Sequence, residues 1–369
     1  MALSSVEERT AICDAVNSLL KDKSSETAVR STMETAQGYD PVLWKQLAEQ
    51  GIVGLLIDPA YGGTGLGPVE LELVMEGTGA ALLCSPLISS GVLAASLLAA
   101  SGDEDARQRL LPGIVAGTTI ATAALTGDAG TWTPESVAVE ATAGADGQVA
   151  LNGVASYVTH GQIADVILVA AKTAGGVGVF EVAADAAGLA REALPSFDMT
   201  LRLARLAFAN TPARPIAGAG WPAVQSALDV ALIALAGEQA GGARRIFDMT
   251  IDYAKMRIQF GRAIGGFQAL KHMAADLLIE VESSTSAARD AAEQWAEQSG
   301  QAEAAVSLAA FACAESYVKV AAAAIQMHGG IAFTWEHPAH LYLRRARSHA
   351  QLFGAPSLHR ERYLVQLGA

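Results

Sequence analysis

Up to about residue 110, apolar positions recur at helical spacing, as in Val42, Leu43 and Leu47 and again in Leu71, Leu73 and Val74. This predicts amphipathic helices, two of them separated by the glycine-rich turn Tyr61-Gly62-Gly63-Thr64-Gly65-Leu66-Gly67. Near Thr118 the pattern changes. Short β-type runs at 119–125, 136–141, 149–153, 165–170 and 178–182, divided by Gly, Asp and Asn, predict a small β-barrel or sandwich. From Trp221 the helical period returns, with Ala-rich segments over 221–256, 264–299 and 302–329 and a last helix after Pro356. The Ala/Gly-rich pieces at 141–147 and 217–220 read as loops or linkers. The expected fold is α+β: an N-terminal helical bundle (1–115), a middle β-barrel or sandwich domain (116–217) and a C-terminal four-helix bundle (218–369).

A chain of 369 residues is long enough for a large buried core in several domains. The formal charge of −13 repels a polyphosphate backbone and argues against nucleic-acid binding, while leaving room for a local cation facing one phosphate-bearing cofactor. Cys13, Cys84 and Cys313 form no CxxC pair and read as thiols in a reducing compartment, with no metal set. The first residues show neither a basic nor an apolar leader region, so the expected location is the cytoplasm. The charge-free run 80–100 is long enough to span a bilayer. Pro86, Gly91 and its serines favour two short buried helices and no membrane span.

The chemistry concentrates in Arg257-Ile258-Gln259-Phe260-Gly261-Arg262, then Phe267-Gln268, then Gln326-Met327-His328-Gly329-Gly330. A diphosphate requires a cation and an approach free of side chains. Arg257 offers a fork of N–H donors, and Gly329-Gly330 clears the path. Phe260 and Gln268 provide an apolar wall and an amide suited to an adenine. The plainer alternative is a surface ion pair at Arg257 and a helix cap at Gly329-Gly330.

These motifs, with Trp44-Lys45-Gln46-Leu47-Ala48, Asp58-Pro59-Ala60-Tyr61-Gly62-Gly63-Thr64-Gly65 and Asn152-Gly153 followed by Tyr157-Val158-Thr159-His160-Gly161, resemble the acyl-CoA dehydrogenase family over nearly the whole chain. The resemblance implies FAD as cofactor and an acyl-CoA thioester as substrate, with electron-transfer flavoprotein as electron acceptor. It places Arg257, Phe260, Gln268, Gln326, Gly329 and Gly330 against the ADP part of a FAD seated in a neighbouring subunit, and Thr126, Tyr157 and Thr159 beside a flavin ring. Each of the last three is equally readable as an ordinary strand residue.

Two departures stand out. The family's Thr-Glu-Pro-Gly-Ala-Gly-Ser-Asp type of loop is replaced by the shorter Thr126-Gly127-Asp128-Ala129-Gly130-Thr131-Trp132. The catalytic glutamate, which takes the α-proton of the thioester, is absent from both family positions, where Phe353 and Ala231 stand. Glu238 lies seven residues beyond Ala231 on the same helix face, about 10 Å along the axis. That offset favours a structural carboxylate over a base. His328, His337, His340, His349 and His359 make no metal set and read as turn or surface hydrogen bonding, or partner contact. Arg344-Arg345-x-Arg347 reads as a phosphate-neutralising patch or a solvated helix face.

The resemblance is therefore to the baseless, β-type subunit of heterotetrameric (α2β2) steroid-side-chain acyl-CoA dehydrogenases, which completes the FAD site of a homologous catalytic chain. The alternatives are a homo-oligomeric dehydrogenase using Glu238, a flavin monooxygenase on the same fold, and a purely structural protein. Small residues at Gly77, Gly79, Ala80, Ala81, Ala231 and Ala234 suit either a bulky polycyclic acyl group or close helix packing.

Overall fold

The structure is a computed structural model that describes residues 4–144 and 148–369; Gly147, in one of the expected loops, lies outside them. The chain opens with helices α1 (Val6–Lys23), α2 (Glu26–Glu34), α3 (Pro41–Glu49) and α4 (Pro68–Ala80). It continues through a π-helical stretch (Leu87–Ala94) into α5 (Ala95–Ser101) and then α6 (Glu104–Val115). Local chemistry sets the starts: Ser5 and Glu8 form a reciprocal capping box on α1, Asp40 caps α3 ahead of Pro41, and Asp103 accepts from Ala106 N–H at α6. These polar groups satisfy helix-end donors that would otherwise lack partners.

Seven strands follow: β1 (Ala121–Ala124), β2 (Val139–Ala143), β3 (Val149–Thr159), β4 (Val166–Thr173), β5 (Gly176–Ala183), β6 (Leu189–Leu194) and β7 (Leu203–Gly220). The helical remainder comprises α7 (Trp221–Met256), a two-strand ribbon of β8 (Ile258–Gln259) and β9 (Arg262–Ala263), α8 (Gln268–Ala296), α9 (Ala302–His328), α10 (Ala339–His349) and α11 (Pro356–Gln366). The order helices, strands, helices is the one the periodicity predicts. The expected loop at 217–220 is instead the end of β7, and Ala141–Ala143 belong to β2. Within strands paired to neighbours, Ala and Gly lose their loop meaning, because ladder partners fix the backbone. The strands β6 and β7 and the helix α10 have no counterpart in the pattern reading.

Two compact units divide the chain. One gathers the N-terminal residues up to Ser31, Pro68–Leu83 and Leu232–Ala369; the other holds Thr32–Gly67 and Cys84–Ala231.

In the first unit α9 packs against α8, α10 and α11, and α4 packs against α1 and α8. The approach of α4 to α7 is close: a Cβ at Gly79 would lie 1.9 Å from Glu238 O, and one at Gly241 1.9 Å from Glu76 O. Only hydrogen fits there, so Gly79 serves helix packing and opens no space for a ligand. One helix among the described residues, Ala302–Phe333, is long and apolar enough to cross a membrane, but it contains α9, the element around which the bundle packs. The charge-free run 80–100 is interrupted as expected: α4 stops at Ala80, Leu82 turns the chain at φ 49°, and a helix resumes at Leu87.

In the second unit the pairings β4–β2–β3–β7–β5–β4 close into a barrel, with β1 parallel to β4 and β6 antiparallel to β7. Its interior is apolar, with Leu151, Ile167, Val169, Leu206 and Phe208 at the centre. Ser90 of the π-helical stretch accepts from Ala121 N–H (3.0 Å), and Trp44 Nε1 donates to Gly117 O (2.9 Å). These bonds tie β1 and α3 into the unit.

Candidate functional site

The Arg257 segment is built as a turn that presents its tip. After α7, Gln259 of β8 pairs with Arg262 of β9, which leaves Phe260 and Gly261 as the turn residues, both at positive φ (52° and 74°). That is the two-residue hairpin turn in which Asn-Gly or Gly-Gly is normal. A phenylalanine in the left-handed region costs roughly 1–2 kcal/mol. Its side chain is also 91% exposed, so burial inside this chain does not offset the strain. Ile264 N–H donates to Arg257 O (2.8 Å), fixing the hairpin base, and the Arg257 side chain stays exposed. The Phe267 ring meets Phe260 edge-on at 6.1 Å and lies 4.0 Å beneath the Arg262 guanidinium.

Gln268 opens α8, exposed, with its Nε2 2.9 Å from His272 Nε2. Because α8 and α9 pack as a helix pair joined by a short loop, the end of α9 returns to the start of α8. Tyr253 stacks on His328 at 4.5 Å, placing the last turn of α9 beside the last turn of α7. Gln326 is exposed in that turn. Gly329, at φ 66° and ψ −147°, occupies a region essentially reserved for glycine. A Cβ at Gly329 or Gly330 would meet nothing within 4 Å. Arg257, Phe260, Gln268, Gln326, Gly329 and Gly330 thus gather at one end of the first unit, facing outward.

The three barrel residues are used unevenly. Thr126 is buried and its hydroxyl donates to Ser136 Oγ (3.1 Å). The Tyr157 hydroxyl donates to Asp128 O (3.3 Å). Thr159 is buried, accepts at its carbonyl from Thr122 Oγ1 (2.6 Å), and leaves its own Oγ1 without a partner. The short 126–136 loop folds back on the barrel: Gly127 N–H donates to Ser136 O, Arg205 grips Asp128 through two bonds (3.0 and 3.1 Å), and Ser156 donates to Asp128. The Arg205 guanidinium and the Ser156 hydroxyl hold the Asp128 carboxyl down to about 2.

Ala231 is fully buried on α7. Phe353 is buried at φ 63°, just before Gly354 at φ 126°. Neither offers an oxygen. Glu238 is buried, and Arg345 Nη1 donates to its Oε1 at 2.7 Å, while Arg345 Nη2 donates to Leu83 O at 3.0 Å.

Residues 218–366 match the acyl-CoA dehydrogenase C-terminal domain, and residues 6–118 match the acyl-CoA dehydrogenase N-terminal domain. The acyl-CoA dehydrogenase IpdE2 of Mycolicibacterium smegmatis is 34% identical over 357 residues, covering 95% of this chain and 96% of the relative. The chain belongs to the acyl-CoA dehydrogenase family. Its fold is shared with the ChsE4-ChsE5 complex from Mycobacterium tuberculosis (TM-score 0.91, 29% identity, 100% of this chain and 99% of that one). It is likewise shared with a single-substitution variant of the Tcur3481-Tcur3483 steroid acyl-CoA dehydrogenase (TM-score 0.88, 29% identity, 98% of both chains). FAD is the cofactor of this family of flavoprotein oxidoreductases.

Within this family member, pattern reading missed two pairings. Arg345 reads from sequence as part of a basic patch, yet it is buried against Glu238; Arg344 faces the Trp335 ring at 5.4 Å and only Arg347 is exposed. An acidic residue more than a hundred positions away leaves no local signal. Surface placement fails for three of the five histidines: His328, His349 and His359 are buried, and desolvation pulls each below the ordinary histidine range, His359 to about 4. His337 and His340 are partly exposed and hydrogen-bonded to Ala339 N–H and Trp335 O, respectively. The Asp128–Arg205 clamp was equally hidden.

Proposed function

We propose that this chain is the accessory subunit of a heteromeric acyl-CoA dehydrogenase, one that completes the FAD site of a homologous catalytic partner and lacks a proton-abstracting base of its own. The observation that carries the reading is the pairing of Glu238 with Arg345: the carboxylate weighed as a substitute base is buried in an ion pair, while Phe353 and Ala231 occupy the family positions themselves.

The residues suited to FAD lie together at one end of the first unit, with Arg257, Phe260, Gln268, Gln326 and Gly330 exposed. Arg257 supplies a bidentate cation for a diphosphate, Gly329-Gly330 an approach without side chains, Phe260 an apolar face and Gln268 and Gln326 amides for the nucleotide. The strain at Phe260 supports this role, since exposed strain persists where a binding contact offsets it. When bound, FAD supplies the hydride acceptor for the dehydrogenation. The base and the thioester pocket belong, in this reading, to the partner. Both solved structures at 29% identity concern named pairs or steroid enzymes, which supports an α2β2 assembly acting on a bulky, steroid-derived acyl-CoA in the cytoplasm, with electrons passed to electron-transfer flavoprotein.

The test is purification of the chain alone and co-expressed with a homologous acyl-CoA dehydrogenase chain, followed by dye reduction with acyl-CoA. Turnover by the pair and none by the lone chain supports the reading. Turnover by the lone chain refutes it.

A further inference from the structure

A cleft of about 410 Å³ opens in the first unit between the C-terminal part of α1, the start of α2, the end of α4, α7 and α10. Its floor is apolar and buried, made by Leu20, Val29, Leu82 and Leu341. Its rim carries Lys21 and Arg245, both exposed, and neither makes an ion pair among the described residues. Arg245 is not loose: it hydrogen-bonds the Tyr342 hydroxyl, which in turn donates to Ala80 O at 2.7 Å. Burial pushes the Tyr342 phenol up to about 12, so it remains a neutral, fixed anchor. The acid on the rim, Glu26, is already held by Arg30 at 2.8 Å.

From this geometry we propose that the cleft is a binding site for a small anionic amphiphile, its carboxylate or phosphate head between Lys21 and Arg245 and its apolar body on the Leu20–Leu341 floor. The volume lies within the range of small-molecule pockets, roughly 300–1,000 Å³, and a mostly apolar lining with few convergent polar groups is their usual composition. Two exposed cations set at the mouth of an apolar floor favour a head of opposite charge, which gains charge-assisted hydrogen bonds that an uncharged or cationic head does not. The end of α4 ties this site to the rest of the unit: Ala80, Ala81 and Leu82 line the cleft, and the next residue, Leu83, offers its carbonyl to Arg345. An occupant therefore rests on the same turn that the Glu238–Arg345 pair grips.

Titration calorimetry on the full chain with octanoate, octyl phosphate and octanol tests the site. Octanoate, octyl phosphate or both should bind at one per chain, more weakly as salt rises, and the better anion identifies the head. The double variant Lys21→Gln/Arg245→Gln should weaken anion binding about tenfold or more and leave octanol unchanged. Ala81→Phe, which fills the cleft without touching its charges, should abolish binding of both anions. The proposal fails if neither anion binds, if octanol binds as well as octanoate in low salt, or if anion binding persists unchanged in either variant. Should the double variant not fold, Ala81→Phe and the salt dependence of the native chain decide alone.

Discussion

Arg345 Nη1 lies 2.7 Å from Glu238 Oε1, with both side chains buried. An acid held in this way is a structural strut: the guanidinium occupies an oxygen that a base would need for a substrate proton. Because the second arm of Arg345 binds Leu83 O, the pair joins α7, α10 and the turn after α4. Glu238→Gln removes a charge and leaves Arg345 buried without its counter-ion, which should destabilise the chain by about 3–5 kcal/mol. In the heteromeric enzyme, turnover per folded molecule should be unchanged. Chemical denaturation and dye-reduction kinetics check the two halves, and a collapse of turnover in folded protein would restore Glu238 as a base.

Phe260 and Gly330 are predicted to separate stability from cofactor retention. Phe260→Gly relieves a left-handed phenylalanine and should hold or raise the melting temperature, while flavin retention by the assembly falls. Gly330→Leu adds a side chain where nothing lies within 4 Å, so stability should move by no more than about 0.5 kcal/mol, again with loss of flavin. Unchanged flavin absorbance in both variants would remove these residues from the cofactor site.

Thr159 provides the opposite control. Its buried Oγ1 has no partner, and a buried hydroxyl left unbonded is costly. Thr159→Val should preserve or raise thermal stability and leave the flavin content of the assembly unchanged. A fall in flavin content would mean that this chain's own barrel holds a flavin ring.

Acid sensitivity follows from the histidines. His359 sits against Gly354, whose absent side chain leaves room for the imidazole: a Cβ there would come within 2.9 Å of Nε2. Its folded value of about 4 lies below the unfolded value of about 6.5, so between those values the unfolded chain binds more protons. Stability is therefore fully present above pH ~6.5 and declines as pH falls toward ~4. His349, pulled well below the ordinary range by burial and by the neighbouring Arg345 charge, adds to the same slope. Melting temperatures measured across this window should drop, and His359→Gln should shrink the drop; a flat profile contradicts the burial argument.

Much of the architecture was legible because it is written in local period: the helices up to Val115 and from Trp221, and the strands from Ala121 to Ala183, follow apolar spacing. β6 and β7 were not, because Leu-Ala-Arg-Glu-Ala-Leu is helical in composition and is held extended by pairing with β7, a tertiary effect that overrides propensity. The outward-facing cofactor candidates were readable as motifs, since Arg257, Phe260 and the paired glycines carry their chemistry in their own type and spacing. The Glu238–Arg345 and Asp128–Arg205 pairs were not, since each joins positions far apart in sequence through burial or loop folding that only the assembled chain displays.

The proposed division of labour, in which this chain gives residues to a partner's flavin and oxidises nothing alone, stands or falls on a flavin count of the co-purified assembly set beside the lone chain. The expected result is about one flavin per two chains in the assembly and close to none in the lone chain; one flavin per chain in the isolated protein, with reduction of that flavin by acyl-CoA, would contradict it.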